Sequence, residues 1–221
     1  MSFNIAIDGP AGAGKSTIAK KLAKELGYVY VDTGAMYRAM AYYFWNNNIQ
    51  ADDIDAITTA CPNVDVTITY EDGTQHVWLN GVDVSGKIRT EEVGKMASAT
   101  SVYPVVRTKL VELQQQLAKK TEVIMDGRDI GTVVLPDADV KIFLTASSAI
   151  RAQRRFDELT AKGMECNLQE IEKDIIERDY RDMNRETSPL KKAEDAVELD
   201  TSELDIDGVV AAMKKIIDEA K

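Results

Sequence analysis

Two hydrophobic periods alternate along the chain. Phe3-Asn4-Ile5-Ala6-Ile7 is short and β-branched, the pattern of a buried strand. Ile18, Leu22 and Leu26 then recur at helical spacing beside Ala19 and Ala23, and Gly27 stands where a helix stops. Residues 28–32 predict a second strand, and Thr33-Gly34 opens a helix ended by Asn46-Asn47-Asn48. A short helix is expected over 53–60. From Val64 the period falls to two: Val64, Val66, Ile68 and Tyr70 alternate with Asp65, Thr67 and Thr69. Asp72-Gly73 and Asn80-Gly81 are turn signals, with Val77-Trp78-Leu79 and Val82-Asp83-Val84 as returning strands. Residues 63–86 thus predict a small antiparallel sheet with one wet face, read as a separate subdomain.

The helical period returns over 90–100 and again from Pro104, where Val106, Leu110, Leu113 and Leu117 form the expected buried stripe. Val123-Ile124-Met125 and Val140-Lys141-Ile142-Phe143-Leu144 predict two further strands. Ser147 or Ser148 should cap the next helix, which holds Arg151, Arg154 and Arg155. A helix over 167–185 starts with the apolar stripe Leu168, Ile171, Ile175 and continues it as Arg178, Asp182 and Arg185. Val197-Glu198-Leu199 and a closing helix with Val209, Val210, Met213, Ile216 and Ile217 inward complete the chain. Strands alternating with helices predict an α/β three-layer sandwich around a mainly parallel, five-stranded sheet, with the β insert and a short helical lid added. Residues 1–221 read as one domain; within it, 33–100 is the expected acceptor-binding region and 150–185 the lid.

Between the first strand and its helix lies Gly9-Pro10-Ala11-Gly12-Ala13-Gly14-Lys15-Ser16-Thr17, a complete phosphate-binding loop: Gly, four residues, Gly-Lys-Ser. The glycines allow the backbone to wrap a polyphosphate, and loop amides and the helix N-terminus aim donors at it. Lys15 adds a full charge toward the β- and γ-phosphates, and the Ser16 hydroxyl suits Mg²⁺ completed by waters. The cofactors implied are ATP and Mg²⁺.

Composition narrows the partners. With 27 lysines and arginines against 37 acidic residues, a formal net charge of −10 argues against a nucleic-acid polymer. The single histidine, His76, excludes a histidine triad or a multi-histidine metal site, and Cys61 and Cys166 read as packing residues of a reducing compartment. No apolar run approaches the ~20 residues of a membrane helix. No leader is expected before the first strand, and the chain reads as a cytoplasmic monomer without a membrane partner.

Against that acidic background the arginines are concentrated. Arg38 and Arg128 follow the second and third main strands, at the sheet edge where such folds bind ligands. Arg151, Arg154, Arg155, Arg178, Arg181 and Arg185 crowd one helical connection. One triphosphate does not need so many bidentate anion binders; two phosphorylated substrates do. Phosphoryl transfer between nucleotides follows, with a lid to exclude water. A guanine-nucleotide switch is disfavoured because Asn-Lys-x-Asp is absent. A non-catalytic ATP-binding regulatory protein and a kinase for another small acceptor stand as alternatives.

Five stretches carry a resemblance across nearly the whole chain: Asp8 through Thr17, Asp32-Thr33-Gly34-Ala35-Met36-Tyr37-Arg38, Val84-Ser85-Gly86-Lys87-Ile88-Arg89, Asp126-Gly127-Arg128-Asp129-Ile130-Gly131-Thr132-Val133-Val134 and Glu177-Arg178-Asp179-Tyr180-Arg181-Asp182-Met183-Asn184-Arg185. Together they resemble the bacterial cytidylate kinases, nucleoside monophosphate kinases that carry such an insert. The resemblance implies CMP and dCMP as acceptors and ATP as donor. It places Arg38 and Arg128 on the acceptor phosphate, and Ser98, Arg107 and Asp129 on the cytosine edge. Arg178 and Asp182 fall to the ribose, Arg185 beside the phosphates, and Arg154 on the ATP side. Thr33, also a substrate-side residue, stands where serine is common in the family. Lys15, Arg128, Arg185 and Asp126 are the catalytic candidates; Asp126 reads equally as an organiser of Mg²⁺ waters or as a structural turn residue.

Overall fold

The computed structural model describes residues 3–71 and 73–221; the turn residue Asp72 lies outside them. Five parallel strands form the central sheet: β1 (Ile5–Asp8), β2 (Val29–Asp32), β6 (Val123–Gly127), β7 (Val140–Thr145) and β8 (Val197–Asp200). Their spatial order is β2-β6-β1-β7-β8. From β1 the chain first builds outward to β2, fills in β6, and later builds to the other side. The two directions of winding part at the carboxyl end of β1, where open α/β sheets bind ligands.

The apolar runs explain the layers. Ile5 and Ile7 face one side of the sheet, packing with Ile18 and Leu22 of α1 (Lys15–Leu26) and with Val209, Met213 and Ile217 of α8 (Ile206–Glu219). Ala6, Val31 and Met125 face the other side, against Ile130, Val134 and Ala118. Both isoleucines of β1 are fully buried, each contributing about 1.5–3 kcal/mol. Gly27 ends α1 in the left-handed region at φ +75°, its amide returning to the Ala23 carbonyl.

The insert forms its own antiparallel sheet from β3 (Val66–Glu71), β4 (Thr74–Leu79) and β5 (Val82–Asp83). It is separate in hydrogen bonding but not in core. Val66, Val77 and Leu79 share one apolar cluster with Met36, Met40 and Phe44 of α2 (Thr33–Asn46), Ile57 of α3 (Ile54–Ala60), and Val93 of α4 (Glu91–Thr100). The alternation of buried and exposed side chains begins at Val64 as the pattern predicts, although strand pairing starts only at Val66, after a 3₁₀ turn at Cys61–Asn63. It fades toward the hairpin tip, where Tyr70 is exposed.

Helix α5 (Pro104–Ala118) departs from its expected stripe. Its buried side chains are Val106, Arg107, Leu110, Gln114 and Ala118, while Leu113 and Leu117 are half-buried. The helix straddles two clusters, Leu113 packing with the insert and Leu117 with the sheet, so Arg107 and Gln114 fall between them. The helices α6 (Ser148–Ala161) and α7 (Leu168–Asn184) make an antiparallel arm, with Ser147 as the cap of α6. In α7, Ile175 is buried and Leu168 and Ile171 only half so. No helix among the described residues is long and apolar enough to cross a membrane.

Candidate active site

The phosphate-binding loop is shaped by backbone demands that only glycine meets. Gly9 has φ +149°, and a Cβ there would lie 2.1 Å from the Leu144 carbonyl oxygen on β7. Gly14, at φ +83°, caps α1. Lys15 is buried at the first turn, its Nζ donating to the Gly9 and Pro10 carbonyls at 2.7 Å each. Burial, and then the charge of Arg128, push its ammonium pKa well below the ordinary value. A phosphate oxyanion supplies what this site lacks, so Lys15 gains most from an anionic neighbour.

Beside it, the end of β6 presents Asp126. Ser16 Oγ donates to its Oδ2 and the Tyr30 hydroxyl to its Oδ1, both at 2.8 Å, while Thr33 Oγ1 donates to the Asp126 carbonyl at 2.6 Å. Burial and the neighbouring Asp32 raise the Asp126 carboxyl to about 6, with Lys15 pulling the other way. A hydroxyl and a carboxylate in contact are hard oxygen donors, a set that suits Mg²⁺. No group of three or more His, Cys, Asp or Glu side chains among the described residues is arranged to hold a metal ion, so an ion here would draw its further ligands from phosphates and water.

A second group of charges lies across the cleft. Arg128 Nε donates to Asp182 Oδ2 at 2.9 Å, and Arg185 Nη1 lies 3.8 Å from Asp182 Oδ1. Burial pushes the Asp182 carboxyl up, but Arg128, Arg178 and Arg185 outweigh it and hold it below the usual range. Asp129 accepts from the buried Arg107 and lies 3.4 Å from Arg185 Nη2. Arg107 also lies over the Tyr37 ring, 5.4 Å from its centroid. Arg178 is the least satisfied: its buried Nε has no partner, and burial together with Arg128 lowers its guanidinium pKa to about 10. A partly desolvated guanidinium with a free Nε on the wall of a cleft is a binding group for an anion or a hydroxyl oxygen.

The two groups face each other across one cleft of about 1120 Å³. A model of the cytidylate kinase family matches residues 5–219. The chain belongs to that family. The cytidylate kinase of Lactobacillus johnsonii is 54% identical over 97% of this chain and 94% of its own length. That of Caldicellulosiruptor saccharolyticus is 53% identical, over 94% and 92%. That of an Exiguobacterium species is 49% identical, over 100% and 98%. Among solved structures, an uncharacterized protein from Eubacterium ventriosum shares the fold at TM-score 0.53 and 14% identity, over 98% of this chain and 99% of that one. A shikimate kinase from Bacteroides thetaiotaomicron does so at 0.50 and 14%, over 98% of each chain.

Within this cytidylate kinase cleft, every site residue predicted from Ala11 onward lies on the wall; Gly9 and Pro10 lie beneath, holding Lys15 by their carbonyls. Arg38 is anchored by the Ile88 and Thr90 carbonyls at 3.1 and 3.2 Å. Ser98 accepts from Arg181 Nη1 at 2.9 Å, and Arg154 donates to Thr201 Oγ1 and to its carbonyl at 3.1 and 2.5 Å. Arg151 does not join the open arginine cluster. It is buried, donating to the Ala11 carbonyl at 2.7 Å and to Asp179 Oδ2 at 2.6 Å, while the Ala11 amide donates to Asp179 Oδ1 at 3.0 Å. Asp179 has no role in the sequence reading, although Ile175, Asp179 and Asp182 are spaced to share one helix face. Arg89 is likewise new to the site: it donates to Asp32 Oδ2 at 2.7 Å and lines the cleft. At the far end, Thr201, Leu204 and Val209 complete a wall for which the sequence carries no motif.

Proposed function

We propose that this chain transfers the γ-phosphoryl group of ATP to CMP, and to dCMP, giving the nucleoside diphosphate by direct in-line displacement. An oxygen of the acceptor phosphate bonds to the γ-phosphorus as the bond to the β,γ-bridging oxygen breaks, and ADP leaves. What carries the reading, beside family membership, is the pairing of two anion-binding groups in one cleft, one around Lys15 and one around Arg38, Arg128 and Arg178. The attacking group is already an oxyanion, so the reaction needs no strong base. Positioning and charge neutralisation by Lys15, Arg128 and Arg185 suffice. Ser16, with Asp126 behind it, would hold Mg²⁺, which when bound neutralises charge on the phosphates.

Asp129, Arg107 and Ser98 read the base. A carboxylate accepts from the exocyclic amine of cytosine and repels the O4 of uracil, and its oxygens have sites to spare beyond Arg107 and Arg185. Arg178 and Asp182 serve the sugar, Arg154 the donor nucleotide. Residues 33–100 form the acceptor side and the α6–α7 arm the lid, in a cytoplasmic monomer whose cleft is built from one chain. The decisive experiment is a panel of nucleoside monophosphates with MgATP, following ADP. CMP and dCMP should be used fastest; ADP release at the same rate without any acceptor overturns the proposal in favour of a regulatory ATPase.

A further inference from the structure

The insert reaches the cleft through a side chain of β4. The Asp32 amide donates to Gln75 Oε1 at 2.8 Å, and Gln75 Nε2 donates to the Asp32 carbonyl at 3.3 Å. Asp32 ends β2, which is an edge strand of the central sheet and pairs only with β6. Its outward amide and carbonyl therefore need partners from elsewhere. The carboxamide of Gln75 supplies one donor and one acceptor in the manner of a neighbouring strand one residue long.

A displaced Asp32 backbone would disturb two further contacts. Its Oδ1 accepts from the Ala35 amide at 2.9 Å, capping α2, and its Oδ2 accepts from Arg89 Nη2 at 2.7 Å. The Arg89 side chain is 55% exposed, so Asp32 is what orients it in the cleft. Arg38 lies alongside: burial first, and then the charge of Arg89, lower its guanidinium pKa. Arg38 is held in turn by the carbonyls on either side of Arg89, those of Ile88 and Thr90.

We infer that Gln75 is a positioning residue for the acceptor-phosphate end of the cleft, acting from the insert through Asp32 to aim Arg89. The inference rests on the acceptor reading above, which puts a phosphate beside Arg38. A purely structural role is separable, because the insert is fastened to α2 without Gln75. Val77 and Leu79 are buried in one cluster with Met36, Met40 and Phe44 whatever residue stands at 75. Removing the carboxamide should loosen Asp32 and leave the sheet in place.

The test compares Gln75→Ala, Gln75→Met, Arg89→Ala and the double variant Gln75→Met/Arg89→Ala, in MgATP with CMP. Gln75→Met keeps the length of the side chain and removes both hydrogen bonds, so it guards against a folding defect in the alanine variant. Each Gln75 variant should raise the KM for CMP roughly five- to tenfold, the weight of a neutral hydrogen-bonded contact, with the KM for ATP within about twofold. In the Arg89→Ala background, Gln75→Met should change the KM for CMP by less than about twofold, since the two act in series. Equal changes in both KM values, full additivity in the double variant, or a lowered melting temperature with unchanged KM would each overturn the inference. Should the wild type prefer another monophosphate, the cytidylate reading falls and the same comparison is decided on that acceptor. If it transfers to no acceptor, both fall.

Discussion

Asp129→Asn separates base reading from charge support in one measurement. The carboxylate is buried, accepts from Arg107 and lies 3.4 Å from Arg185 Nη2. Asparagine keeps one acceptor oxygen but turns an amide donor toward a guanidinium, so a charge-assisted contact is lost. That loss is worth about 1.5–3 kcal/mol, or roughly ten- to a hundredfold, and falls on every acceptor alike. The base contact is different. The new amide no longer accepts from the cytosine amine at both oxygens, and it can donate to the O4 of uracil. One such contact carries ~1–3 kcal/mol of discrimination, so the CMP-over-UMP ratio of kcat/KM should narrow by roughly ten- to a hundredfold. Measuring both acceptors on one preparation, by ADP-coupled assay, cancels any change in folded fraction or in Arg107 placement. Loss of CMP activity with a constant ratio would falsify base reading and leave Asp129 as a counter-ion for the two arginines.

Three further outcomes test other parts of the site. Gly9→Ala drives a Cβ to 2.1 Å from a backbone oxygen of β7, whereas Gly14→Ala meets nothing within 4 Å at φ +83°. The first should cost about 3 kcal/mol or more and the second about 1, lowering Tm by roughly 6–12 °C and 2–4 °C; equal shifts would refute the close-approach argument. Asp182→Ala should cost CMP more than dCMP, by up to ~3 kcal/mol if its carboxylate accepts from the 2′-hydroxyl. Equal losses would assign Asp182 to Arg128, which it meets at 2.9 Å. Asp8 accepts from the Ile130 and Gly131 amides at 2.8 and 2.7 Å, yet burial outweighs them and raises its carboxyl from 3.8 to about 6. The native state therefore binds more protons between those values, and its Asp8-linked stability is full below pH 3.8 and lost as pH rises through 6. Asp8→Asn does not titrate, so urea unfolding at pH 4.5 and 7 should show the variant gaining roughly 2 kcal/mol on the wild type; parallel pH profiles would show Asp8 to be unperturbed.

Features that rest on the backbone were the legible ones. Gly9, Gly12 and Gly14 announce a loop because their positive φ values suit glycine best, with Gly9 also barred to any Cβ by the Leu144 carbonyl, and the Lys15-Ser16 pair follows in fixed register. Ser147, one of the two serines expected to cap α6, does so, and Asp32, Thr90 and Asn167 cap their helices in the same way, as short polar side chains do. Partner choice was less legible. Arg151 and Arg154 are one turn apart and chemically identical, yet the first is buried on the phosphate loop and the second holds Thr201. The turn at Ile130–Val134 closes with the Leu135 amide on the Ile130 carbonyl at 2.7 Å, a five-residue step with no side-chain signature. Gln75 was invisible for a related reason: it occupies an outward position on a half-exposed strand, and only the meeting of two sheets gives it a partner.

The pair Arg151–Asp179 fastens the root of the α6–α7 arm to the phosphate loop. One root of the arm grips the carbonyl of Ala11 and the other its amide, and the two grips are joined to each other at 2.6 Å. Beyond these grips α6 is held again where Arg154 meets Thr201, and past that point Arg155, Glu158 and Lys162 lie exposed and paired among themselves. If the arm closes as the proposed lid, its attachment and the loop proposed to bind a phosphate are the same piece of chain. By thermodynamic reciprocity, whatever the loop's occupant does to the resting angle of the arm, restraint of the arm must do to the affinity of the loop. On that reading, a tether at the tip would become a dial on donor binding.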